Sequence, residues 1–178
     1  VISTPIRDNM IRLALSYDGC NASTDRDRYL DLIAPDETPE MRAAMASMSS
    51  CALTVRGFWR RLGLVHPRLA APYRIGDAVD DVVSIARERG AWREPHPDAS
   101  PTPGDAVLVA TPEHVYTIVE ELGPMAWGSI DGGQRLPTGA EMIGRATRRW
   151  VWGGSVLFDR GVMTRVVRGW VDLDALFA

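Results

Sequence analysis

The 178-residue sequence contains no lysine: its 20 basic residues are all arginine, against 23 acidic residues and three histidines. With the many alanines, glycines and aspartates, this is the composition of a GC-rich coding sequence. The net charge of −3 offers none of the basic surface that nucleic-acid binding requires. No apolar run approaches the ~18–20 residues of a membrane span. The opening stretch VISTPIRDNM has neither the basic nor the apolar region of a signal peptide, although its first residue, Val1, is compatible with a leader already removed. Two cysteines, Cys20 and Cys51, are too few for a disulfide framework, though one bridge is possible on count. The cysteines and histidines show no zinc-type spacing, so neither a metal nor another cofactor is expected.

What is present is ordinary globular material, with 46% hydrophobic and 24% charged residues, enough for one domain over residues 1–178. The first half has helical periodicity. Ile6, Met10, Leu13 and Tyr17 share one face of a first helix; Tyr29, Leu30 and Ile33 mark a second, and Met41, Met45 and Met48 a third that opens at Pro39. A further helix over about 77–89 ends at Gly90. A proline-rich loop, 93–104, follows, and then the period changes to that of strands. DAVLVA, HVYTIVEEL and MAWGSID read as strands, with a hairpin at Gly123-Pro124 and another about Gly153-Gly154. The chain closes on a strand and a short helical tail. Helices first and strands afterwards predict an α+β fold, with the N-terminal helices packed on a small antiparallel β-sheet.

The segment SMSSCALTVRGFWRRLG places Cys51 in the first turn of a helix that Ser49 or Ser50 can cap and Gly63 ends. Unpaired N–H groups and the helix dipole there stabilise a thiolate, the nucleophilic form of cysteine. Gly57, in mid-helix, suggests close packing onto a sheet. A thiolate that transfers acyl groups needs an acid/base partner. His66 and His96 lie in proline-marked loops and read as solvent-exposed. His114 stands at the start of a strand, a rigid place from which to present an imidazole. If the first hairpin turns at 122–125, Tyr116 pairs with position 131, which brings Asp131 within a residue or two of His114. Gln134 and Ser129 are the substitutes if the register slips, and Asp131 would also serve simply to close the turn before Gly132-Gly133. By itself, Cys51 reads as a small core residue.

The order of a helix-initiating cysteine, then PGDAVLV…HVYTIVE, then a polar residue on the next strand resembles the papain-like cysteine hydrolases of the NlpC/P60 and CHAP group. The resemblance covers about residues 49–134. It implies a papain-like core, Cys51 as nucleophile, His114 as base and Asp131 as orienting residue. The implied activity is hydrolysis of amide bonds in peptidoglycan peptides, and with it export or delivery to the periplasm or cell wall. SSCALT in place of the family's DCSG, and Tyr116 in place of a glycine, mark a divergent member. Tyr17, Trp127 and Gln134 are candidates for contact with the substrate. Arg56, Arg60 and Arg61 are weaker candidates for binding its carboxylates, since their helical spacing reads equally as a solvated face. Trp150, Trp152 and Trp170 read as core. Two other functions use the same residues or fold: an acyltransferase or isopeptidase acting on another amide, and a catalytically silent domain that binds wall fragments or a protein partner.

Overall fold

The structure, a computed structural model, describes residues 4–70, 78–110, 113–160 and 163–178. Its first half is helical: α1 Pro5–Ser16, α2 Arg26–Ile33, α3 Pro39–Met45, α4 Cys51–Arg61, α5 Pro67–Ala70 and α6 Ala78–Glu88. Local chemistry sets the starts. Thr4 and Thr38 accept from the N–H groups of Arg7 and Met41, and Pro5 and Pro39 sit where a missing N–H costs nothing. Met45 is fully buried, with Met41 and Met48 packed beside it, so the methionine stripe is core. Among the described residues no helix is long and apolar enough to cross a membrane.

The strands are β1 Trp92–Arg93, β2 Ala106–Ala110, β3 His114–Gly123, β4 Ala126–Arg135, β5 Glu141–Gly153, β6 Val156–Arg160 and β7 Thr164–Val171, followed by α7 Leu173–Phe177. Neighbours pair antiparallel from β2 through β6. β7 then pairs with β2 on one side, and with β6 and the short β1 on the other. Six strands, β2 to β7, therefore close into a barrel. This corrects the expectation of helices on a small open sheet. The last strand returns to the first and satisfies the edge groups that an open sheet would leave exposed. The interior is filled by Val107, Val109, Tyr116, Ile118, Trp127, Trp150, Leu157, Val167 and Trp170. Trp127 and Trp150 approach with ring centroids 4.5 Å apart.

The helices cover one outer wall of the barrel. Val115, Val119 and Ile130 point outward from β3 and β4 into the second core, which they share with Phe58, Trp59 and Val55 of α4. Packing onto a sheet does not explain Gly57. A Cβ there would lie 2.5 Å from the carbonyl oxygen of Leu32, so the residue lets α4 and α2 touch. At the opposite end of the fold Arg7 ties α1 to the C-terminal segment. Its guanidinium meets Asp105 at 2.7 Å, Asp172 at 3.1 Å and Asp174 at 2.6 Å.

Candidate active site

Cys51 begins α4, and α4 lies across β3 and β4. Ser50 is the N-cap residue, but its hydroxyl does not cap the helix; it accepts instead from the Gly133 N–H at 3.0 Å. This differs from the expected cap, and it has a consequence. The first-turn N–H groups of α4 keep their capacity to face a thiolate or an oxyanion. The same bond ties β4 to the start of α4. Gly132 and Gly133 allow this approach: a Cβ on Gly132 would lie 2.2 Å from the Thr54 hydroxyl. One on Gly133, which has a φ of +76°, would lie 2.8 Å from the Ser49 hydroxyl.

His114 and Asp131 point into one end of the barrel. The β3–β4 ladder pairs Thr117 with Ile130 and Ile118 with Ser129, a register that, continued, sets Tyr116 level with Asp131. The turn itself lies one residue later than expected, at Gly123-Pro124-Met125-Ala126, and irregularities within β3 restore the register. The His114 Nε2 lies 3.0 Å from the Asp131 Oδ2. A carboxylate only accepts, so Nε2 carries the donated proton and Nδ1 is left for the thiol. The Cys51 thiol lies near enough to the ring for His114 to lower its pKa. Burial pushes the thiol pKa up, but the hydrogen bond and charge of His114, the Val115 N–H and the Ser49 hydroxyl outweigh it and bring it below the ordinary thiol value. Cys51 is 7% exposed and Asp131 2%.

The barrel holds Asp131 from the far side. Ser129 donates to its Oδ1 at 2.5 Å, and the Arg148 guanidinium pairs with its Oδ2. Arg148 also reaches Ser129 at 3.2 Å and Asp159 at 3.4 Å, and lies 4.3 Å from the centre of the Tyr116 ring. Tyr116 in turn donates to Asp159 at 3.2 Å and accepts from the Trp150 indole at 3.1 Å. Burial raises the Asp159 pKa against the pull of Arg148. Most polar atoms of this network pair within the barrel, and Asp159 Oδ1 is left buried without a hydrogen-bond partner.

Compared with known proteins, the chain matches no family model, no curated protein and no solved structure.

Other expected contacts are placed elsewhere. Trp127 is inside the barrel, so it lines no groove. Tyr17 is buried beside Phe58, with Arg28 and Arg61 over its ring, away from the thiol. Gln134 does border the groove beside His114, but its amide donates to the Gly144 carbonyl at 2.9 Å, and the position behind the imidazole belongs to Asp131. Arg56 is buried and pairs with Asp81 at 3.0 Å, while Arg60 and Arg61 donate to the Leu32 and Asp31 carbonyls; they join helices. His66 is not a free loop residue, since it meets Glu88 at 3.1 Å. His96 is exposed. Cys20 and Cys51 are both free thiols. Sequence reading missed Ser129 as a support for Asp131, and missed Arg148 and Asp159 altogether. The available signal was a charged residue at an inward position of a strand, as Arg148 stands two before Trp150.

Proposed function

We propose that the protein is a cysteine hydrolase that cleaves amide bonds through an acyl-enzyme. The observation that carries this reading is the chain of contacts from the Cys51 thiol through His114 to a buried, doubly held Asp131. The Cys51 thiol passes its proton to His114 Nδ1, and the thiolate attacks the carbonyl carbon. A C–S bond forms, and the carbonyl electron pair moves to oxygen, where the Cys51 N–H can meet it. His114 passes its proton to the amide nitrogen as the C–N bond breaks and the amine leaves. It then takes a proton from water, which attacks the thioester; the C–S bond breaks, releasing a carboxylic acid and restoring the thiolate. Asp131 keeps the ring in the one tautomer and orientation that serve both steps.

Peptidoglycan peptides are the substrate class to test first, on the strength of the motif order alone. Muropeptides incubated with the wild-type protein should release a new amine by mass spectrometry, and Cys51→Ala should release none. The same absence with both proteins would reject the cell-wall substrate while leaving the nucleophile open. The nucleophile has its own test: iodoacetamide should modify Cys51 rapidly near neutral pH, and His114→Ala should slow it. A sluggish thiol in both would reject the hydrolase.

A further inference from the structure

A groove of about 560 Å³ opens beside His114. It is lined by Gly133 and Gln134 of β4, by the middle of β5 from Arg145 to Arg148, and by Met163 and Arg165 at β7. Several arginines face it, and most are occupied. Arg135 pairs with Glu141 at 2.9 Å, Arg145 with Glu120, and Arg148 with Asp131 and Asp159.

Arg165 is different. Among the described residues it makes no ion pair within reach. Its Nε is buried without a hydrogen-bond partner, and its Nη2 touches only the Met163 sulfur at 3.1 Å, a weak acceptor. Asp159 stands opposite it in the β6–β7 register; Arg148 and Tyr116 both take its Oδ2, its Oδ1 is left without a hydrogen-bond partner, and among the described residues no ion pair joins it to Arg165. Burial and the nearby Arg148 disfavour the charge on Arg165, offset in part by Asp159 and by Cys51. A planar cation without a carboxylate partner, set in a groove that His114 and Asp131 also line, has the geometry to take a carboxylate in two parallel bonds.

We propose that Arg165 binds a carboxylate of the substrate in the mouth groove, so that the amide cleaved belongs to an acidic peptide with a free carboxylate near the scissile bond. This rests on Cys51 being the nucleophile, and the test separates the two ideas. Iodoacetate and iodoacetamide alkylate a thiolate identically, forming a C–S bond and releasing iodide. They differ only in carrying a carboxylate or an amide. Their rates at Cys51 are followed in the full chain by peptide mass spectrometry, which keeps Cys20 apart. The ratio of iodoacetate to iodoacetamide should fall about tenfold in Arg165→Gln and hold in Arg145→Gln. A second measurement needs no variant: glutarate should protect wild-type Cys51 from iodoacetamide, and its diamide should not. An unchanged ratio in Arg165→Gln, or equal protection by glutarate and its diamide, overturns the carboxylate site while Cys51 remains a nucleophile. Failure of both reagents to modify Cys51 near neutral pH overturns the nucleophile, and the carboxylate site with it.

Discussion

A thiol at 7% exposure should be a poor acid, because water is not there to solvate its anion. Cys51 escapes that rule through its neighbours, and its titration should show it. Alkylation followed against pH should give an inflection below that of an ordinary thiol, and His114→Ala should move it upward, since burial then acts with less opposition. Behind the ring, Asp131→Asn keeps the shape and removes the charge. It should lower kcat by about 100-fold or more, with a smaller effect on KM, because the amide can hold the wrong tautomer. His114 and Asp131 were legible in the sequence because one hairpin brings them together. Arg148 and Asp159 were not, because their inward positions depend on the registers of the β4–β5 and β5–β6 pairings, which no short motif announces.

Two glycines set the relation of α4 to its surroundings, and they should fail differently. At Gly57 a methyl group meets the Leu32 carbonyl, a backbone atom with nowhere to go. Gly57→Ala should therefore destabilise the fold by about 1–3 kcal/mol in urea denaturation, in spite of alanine's better helix propensity. Gly133→Ala acts at the site instead. With φ at +76° and Ser49 in contact, it should displace the start of α4. An activity loss of about tenfold or more is expected, with only a small shift in the denaturation midpoint. The helices and both hairpins were legible from period, caps and turn glycines, which are local signals. The Gly57 contact was misassigned because periodicity reports that a face is close-packed and says nothing of which element covers it.

At the scale of the whole molecule, the buried charges of Arg7 and Asp105, with the half-buried Asp172 and Asp174, fasten the first helix to the last. Burial raises the Asp105 pKa even with Arg7 beside it. Arg7→Met should cost about 3–5 kcal/mol, because it leaves a buried charge unpaired. The cost should depend on pH. Without its cation, the folded-state pKa of Asp105 moves further above the unfolded value. A carboxyl so raised favours the folded state below its unfolded pKa and loses that contribution as pH rises through its folded pKa. The Arg7→Met midpoint should therefore fall more than the wild-type midpoint between mildly acid and mildly alkaline solution, as thermal melts can measure. Barrel closure had no local signal at all, since the strands that seal it, β2 and β7, are joined by the rest of the sheet. That seam also bears on when the protein becomes reactive during synthesis. Cys51, His114 and Asp131 have all been translated by the time β4 is made, yet the β2–β7 pairing must wait for residues 164–171. Non-local pairing of this kind forms late. A nascent chain stopped short of β7 would carry all three groups on a barrel not yet closed, so full reactivity of the thiol should wait for the last strand.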